Sequence, residues 1–216
     1  AILLILFVSA TTGESEQKSL VPETNQKHSW QQLDKGLELG IFRAPQAAAG
    51  GDSLVRVLRI DPKYFQLRLL NASRVENGVP RVKIIDRQCE DFPSWKQKYG
   101  TLVQSIRMIS CTGKNVWKPQ ARRWSTSAIG VDKQDKVLFI HVRALYSTHD
   151  LINILKKLPL NISRAMYTEG GPQAQLYINS GNQELELTGS YETNSNEANE
   201  GSISWPLPNV LGISKR

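Results

Sequence analysis

Apolar and polar residues alternate along much of the chain, and this alternation predicts a protein built mainly from short β-strands. A period of two places one face of a strand against a core and leaves the other face polar. Turn-forming residues separate neighbouring segments. Asp61 and Pro62, for example, lie between the segments 54–60 and 64–70. The segments with strand character are residues 37–41, 54–60, 64–70, 81–86, 102–110, 128–132, 137–142, 166–168, 176–178, 184–187 and 205–213.

Two other segments predict helices. Residues 148–158 carry leucine and isoleucine at helical spacing, with Ser147 placed to cap the first turn and Pro159 to end the helix. Residues 92–99 form a shorter candidate with a proline in its first turn. Strands and helices do not alternate regularly, which argues against a doubly wound parallel sheet. We therefore predict a single-domain α+β fold, with a twisted mixed or antiparallel sheet and few helices.

The start of the chain indicates export. Residues 1–12 are an apolar run followed by small residues, far shorter than the roughly 20 residues that span a bilayer. They predict the remnant of a signal peptide, residues 13–28 a polar linker, and residues 29–216 the folded domain. The alternative for the apolar run is a buried first strand. We expect a periplasmic, secreted or cell-surface protein without a stable membrane span.

Two cysteines, Cys89 and Cys111, suit that compartment. An even count in an exported protein predicts one disulfide, which would stabilise the fold by about 3 kcal/mol in the chain-entropy model. The alternative is a pair of buried free thiols. No histidine or cysteine spacing typical of zinc accompanies them, so we predict neither a metal nor a cofactor.

Positive charge is concentrated in one stretch. The net charge is +7, and residues 81–123 hold ten Lys or Arg against three acids. Such a stretch favours an anionic partner, which in an exported protein indicates an anionic carbohydrate or a sugar phosphate. The alternative is a solvated basic face. Nucleic acid is not favoured, because no nucleic-acid-binding motif is present.

Several motifs carry a resemblance when they are taken in order. SAIGVD at residues 127–132 is followed by a strand that ends near Arg143, by the capped helix, and by AMYTEGGP at residues 165–172. This order resembles the phosphodiester glycosidase family, and so do the opening WQQLDKGL and the closing WPLPNVLGI. The resemblance implies an exported hydrolase that releases a sugar from a sugar-1-phosphodiester.

The chain also departs from the family pattern. The family's NAGxF-type segment is missing between residues 73 and 81, Glu169 stands where many relatives have Asp, and Thr126 stands where many have Arg. The missing segment keeps a second interpretation open, that of a catalytically incomplete glycan-binding or polysaccharide-assembly protein.

The resemblance and the residue types together give a candidate site. Glu169 is the candidate general base or nucleophile, and Arg143 the candidate phosphate clamp, since a guanidinium can bind an anion through two nitrogens. His141 shares a strand face with Arg143 and is a candidate proton shuttle or hydrogen-bond donor. The alternatives are a structural core histidine and an arginine paired with an acid. The candidate substrate-binding residues are Gly170, Gly171, Ser127 and Asp132.

Overall fold

The computed structural model describes residues 30–48, 52–71, 82–99, 101–181, 183–193, 196–197, 204, 206–207 and 209–216. The predicted signal remnant and polar linker lie outside these residues, as does part of the predicted last strand. No helix in the described ranges has the length and apolar character needed to cross a membrane.

Strands are the most frequent element of the described structure. Between strands, Phe92–Lys96 forms helix α1, Thr148–Lys157 forms helix α2, and Gly171–Gln173 forms a single 3₁₀ turn. The strands, in chain order, are β1 (Trp30–Asp34), β2 (Leu37–Arg43), β3 (Leu54–Ile60), β4 (Phe65–Asn71), β5 (Ile106–Ile109), β6 (Trp124–Asp132), β7 (Val137–Tyr146), β8 (Ile162–Gly170), β9 (Leu176–Ser180), β10 (Gln183–Leu187), β11 (Glu192–Thr193), β12 (Asn196–Glu197) and β13 (Asn209–Lys215).

Seven strands form one large sheet in the order β1-β2-β3-β7-β6-β8-β5, and every neighbouring pair in it is antiparallel. Three two-stranded ribbons accompany it: β9 with β10, β4 with β13, and β11 with β12. The central strands β6 and β7 are therefore held on both sides, which makes them rigid supports for any site at their ends.

The predicted α+β class is wrong, because the protein is mostly β. Helix α1 has five residues and α2 has ten, whereas strands run through most of the remaining described chain. One strand prediction also fails, since residues 82–86 form no strand. Backbone groups there bond to side chains instead of a neighbouring strand: the carbonyl of Ile84 accepts from Arg164, and the N–H of Asp86 donates to Glu90.

The two faces of the large sheet carry separate cores. One face packs against α2 through Leu151, Ile152 and Leu155. The other face packs against β9 and the β4–β13 ribbon, with Phe139 and Ile129 among its buried residues. Because side chains alternate along a strand, the residues two positions from Phe139 and Ile129 also face the second core.

A disulfide joins Cys89 to Cys111, whose Cα atoms are 6.4 Å apart. The buried Asp86 carboxylate lies beside this bond, where it accepts from the backbone N–H of Cys111 and Gln88 and pairs with Arg107 at 2.7 Å. These contacts connect the segment before α1 to strand β5 and the loop that follows it.

Candidate active site

A row of polar residues crosses the centre of the large sheet. The register pairs Arg56 on β3 with His141 on β7, His141 with Ser127 on β6, and Ser127 with Glu169 on β8. Cross-strand partners are direct neighbours, with Cβ atoms about 5 Å apart. Strand pairing therefore brings three of the predicted site residues into one line, although they are far apart in sequence.

A β-bulge interrupts the row at its outer end. Ser127 pairs with Glu169 and Ala128 pairs with Tyr167, so Thr168 is an extra residue in β8. The hydroxyl of Thr168 donates to Ser127 Oγ at 3.0 Å, and Ser127 Oγ donates to the Glu169 carbonyl at 3.4 Å. Bulges occur beside active sites, where they redirect a side chain at the end of a strand.

Glu169 is partly buried at the end of β8, and its Oε1 accepts from the Gly170 backbone N–H at 3.2 Å. Burial and the negative charge of Glu169 raise the pKa of the Tyr167 hydroxyl well above its usual range. The carboxylate is thus held by a backbone donor beside an aromatic side chain.

His141 is fully buried, and its Nε2 lies 3.0 Å from the carbonyl oxygen of Ala174. Burial, followed by the charge of Arg56, lowers the pKa of the imidazole to about 3, while Asp52 and the Ala174 carbonyl partly oppose the shift. The ring is therefore neutral near pH 7, and its Nε2–H donates to Ala174. Its Nδ1 is buried and has no hydrogen-bond partner among the described residues.

The glycine pair ends β8 and begins the 3₁₀ turn. Gly170 has an extended backbone, but a Cβ there would lie 2.0 Å from the Tyr167 hydroxyl and 2.5 Å from the Trp124 ring. Gly171 has φ of 68°, in the left-handed region, and its carbonyl accepts from the Ala174 N–H at 3.0 Å. The neutral His141 donates a hydrogen bond to the carbonyl of Ala174, the residue directly after this turn. The bond links the turn to the buried core.

Arg143 lies two residues beyond His141 on β7 and contacts a segment that sequence analysis did not identify. Its guanidinium donates to both the carbonyl and the hydroxyl of Thr188 at 3.1 Å. The segment that contains Thr188 can pack against the glycine turn because Gly189 has no side chain. A Cβ at Gly189 would lie 2.0 Å from the Gly171 carbonyl oxygen. The only sequence signal for this contact is the glycine itself.

Arg143 and Glu169 are not direct neighbours. One strand, β6, lies between them, and they are offset by two residues along the sheet, so their Cα atoms are about 12 Å apart. Strand geometry brings them to the same end of the sheet without bringing them into one row.

Asp132 lies at the opposite end of β6, about 17 Å from Ser127 along the strand. Its carboxylate is buried and accepts from the backbone N–H groups of Gln134 and Lys136 at 2.8 and 2.9 Å. These bonds close the turn between β6 and β7. The structure does not bring Asp132 to the other predicted residues.

One cluster of possible metal ligands exists among the described residues, formed by Asp86 with Cys89 and Cys111. Both cysteines are joined in the disulfide, so neither offers a thiolate to a metal.

The fold and the candidate site define a class: a mostly-β domain in which an inner strand of the large sheet ends in a carboxylate followed by paired glycines. The family profile for phosphodiester glycosidases matches residues 57–214, which is most of the chain. The chain therefore belongs to the phosphodiester glycosidase family, and the resemblance inferred from its motifs is confirmed. A comparison with curated proteins found no match.

Proposed function

We propose that the protein is an exported hydrolase that cleaves a sugar-1-phosphodiester or a phosphate-linked surface glycan. Membership in the family supports hydrolysis of a glycosidic bond. The observation that carries the proposal is the position of Glu169, at the end of the inner strand β8 and beside a glycine turn whose following residue, Ala174, is bonded to His141. The disulfide suits an oxidising compartment outside the cytosol.

The proposed reaction consumes one water. The bond between the sugar C1 and the phosphate oxygen breaks, its electron pair stays on the phosphate, and water supplies the new oxygen at C1. The products are the free sugar and a phosphomonoester of the remaining group. Glu169 either accepts the proton from the attacking water or attacks C1 itself to form a covalent intermediate that water then hydrolyses. Because phosphate is a good leaving group, protonation of that oxygen contributes little.

Arg143 is proposed to neutralise the phosphate, since a guanidinium is always charged and presents donors in a planar fork. Its contact with Thr188 fixes the orientation of that fork. The 12 Å between the two Cα atoms leaves space between the side chains, so that the sugar would lie against Glu169 and the phosphate against Arg143.

The remaining candidate site residues are proposed to position Glu169 and Arg143. Ser127 is fully buried and bonds to Thr168 and to the Glu169 carbonyl, which suits a support for β8 better than a contact with substrate. His141, neutral and bonded to Ala174, suits a fixed donor that holds the turn better than a proton shuttle. Gly170 is proposed to act through its backbone N–H, which donates to the Glu169 carboxylate, and Gly171 through the turn that its φ of 68° allows.

The test is Glu169→Gln, which preserves shape and removes the charge. We expect release of sugar from a chromogenic sugar-1-phosphodiester to fall by about 10² to 10⁴-fold, with an unchanged far-UV circular dichroism spectrum. Glu186→Gln is the matched control, because Glu186 is an exposed strand glutamate on β10 and should leave the rate unchanged. Full turnover by the Glu169 variant would remove this carboxylate from the mechanism.

A second candidate function follows from the missing NAGxF-type segment between residues 73 and 81. A protein without part of the catalytic core would bind an anionic polysaccharide without cleaving it, and that binding would weaken as salt screens the charges. Hydrolysis of any such ligand by the purified wild-type protein decides against this candidate.

A further inference from the structure

A cavity of about 720 Å³ opens at the β5–β8 edge of the large sheet, away from the polar row. The β4–β13 ribbon forms one side of it, and residues 82–88 together with α1 form the other. Neither Glu169, His141 nor Arg143 lines it. Its size lies in the range of small-molecule sites in proteins.

The lining is strongly basic. Asp86 is the one acid among the lining residues, and Glu90 lies behind the wall, where it pairs with Lys83 at 2.7 Å and with Arg164. The six basic residues that line the cavity are Arg68, Lys83, Arg87, Lys96, Arg107 and Arg164. Among the described residues, six cations against two carboxylates leave an excess of four positive charges around the opening. This excess favours a ligand with an anionic group.

Two of these cations are available for such a ligand. Arg107 pairs with Asp86, and Arg68 donates to the Ser214 hydroxyl at 2.8 Å. Arg87 and Lys96, by contrast, are exposed, and within the described ranges neither has an acidic partner at salt-bridge distance. A guanidinium and an ammonium at one rim are a common arrangement for binding a phosphate.

The floor of the cavity is apolar. It is formed by side chains from the sheet and from the ribbon, including Leu67, Leu69, Met166 and Leu211, and Leu102 lies at the mouth with 42% of its surface exposed. Burial of an alkyl chain here would contribute roughly 0.8 kcal/mol for each methylene removed from water.

We propose that this cavity binds a phosphate-headed amphiphile, with the phosphate at Arg87 and Lys96 and the hydrocarbon tail on the leucine and methionine floor. The basic rim matches the charge of the headgroup, and the floor matches the tail. The site is separate from the proposed catalytic row, so it does not depend on hydrolysis there.

The wall that carries Arg87 is fixed before any ligand arrives. Asp86 accepts two backbone N–H bonds, one of them from Cys111, and the disulfide anchors Cys89 two residues beyond Arg87. A preformed wall lowers the ordering cost of binding.

Isothermal titration calorimetry with dodecyl phosphate, kept below its micelle concentration, tests the proposal. We expect saturable binding of one molecule per chain. Its affinity should be at least about tenfold higher than that of dodecyl maltoside, which has the alkyl chain without the phosphate, or of inorganic phosphate, which has no alkyl chain. The double variant Arg87→Gln/Lys96→Gln should weaken binding by roughly tenfold or more, since each lost bond involves a charged group. Leu102→Asn, at the mouth, should weaken it by a smaller factor.

Lys156→Gln/Lys157→Gln is the matched control, because it removes two exposed positive charges from α2, on the opposite face of the sheet. It should bind as the wild type does. Absence of saturable binding would overturn the proposal. So would equal affinity for dodecyl maltoside, or an unchanged affinity in the Arg87/Lys96 variant.

Discussion

Between pH 7 and 5, where the carboxylates with lowered pKa add little, His141 should make the stability of the protein depend on pH. The folded imidazole has a pKa of about 3, because it is buried and faces Arg56, whereas the unfolded value is 6.5. As pH falls below 6.5, the unfolded chain takes up a proton that the folded protein cannot bind. This contribution is therefore fully present above about pH 6.5 and is lost as pH falls toward 3.

The magnitude follows from the size of the shift. Each pKa unit corresponds to about 1.4 kcal/mol, so lowering the pH from 7 to 5 should reduce the free energy of unfolding by about 2 kcal/mol. The complete loss, reached near pH 3, is about 5 kcal/mol. The carboxylates with lowered pKa contribute stability that is lost only below their ordinary values, near pH 4, and so add little at pH 5.

Urea unfolding at pH 7, 6 and 5 measures this dependence. In His141→Gln the side-chain amide can still donate to the Ala174 carbonyl but cannot take up a proton, so the loss between pH 7 and 5 should nearly disappear. His149→Gln, which removes a partly exposed histidine at the start of α2, should retain the wild-type dependence. If His141→Gln loses as much stability as the wild type does between these pH values, the buried imidazole is not the cause.

Three further substitutions test separate contacts. Gly189→Ala places a Cβ against the Gly171 carbonyl oxygen, so we expect about 1–3 kcal/mol of destabilisation in urea unfolding, together with reduced sugar release. Asp132→Ala removes the acceptor of two backbone N–H groups and should cost about 1–3 kcal/mol, while kcat stays unchanged because the residue is far from Glu169. Replacing Cys89 and Cys111 with serine should cost about 3 kcal/mol, seen as a lower Tm.

Each of these expectations has a clear contrary result. If Gly189→Ala unfolds at the same urea concentration as the wild type, the close approach of this segment to the Gly171 carbonyl has no special cost. A fall in kcat for folded Asp132→Ala would connect that turn to catalysis. An unchanged Tm in the cysteine variant would mean that the bond adds nothing to folding.

The fold was predictable where local pattern and tertiary pairing agree. Strand β3 alternates and carries β-branched residues, and it forms over the predicted residues 54–60. Helix α2 has its cap and apolar face in sequence, and Ser147 accepts from the Asp150 N–H as a cap should. The class was wrong because class depends on how much chain the helices occupy. Helix α1 ends at Lys96, three residues short of the predicted end at Tyr99, and has only five residues.

The arrangement of the candidate site was predictable only in part, because residues that are neighbours in a sequence motif can lie far apart along a strand. Ser127 and Asp132 belong to one six-residue motif, yet an extended strand places them about 17 Å apart. The contact of Arg143 with Thr188 joins residues 45 positions apart, and no local pattern encodes it. Residues 82–86 have strand composition, but their backbone groups bond to distant side chains.

The two glycines after Glu169 are needed for different physical reasons, which the dipeptide alone does not distinguish. Gly171 needs its left-handed φ of 68°, and a Cβ there would meet no other atom within 4 Å. Gly170 needs no special φ, but a Cβ there would clash with Tyr167 and Trp124. Gly170 thus allows the aromatic pair to close over the strand end, and Gly171 turns the chain toward the Ala174 carbonyl that His141 holds. Both glycines therefore shape the backbone that directly follows Glu169, the carboxylate of the proposed mechanism.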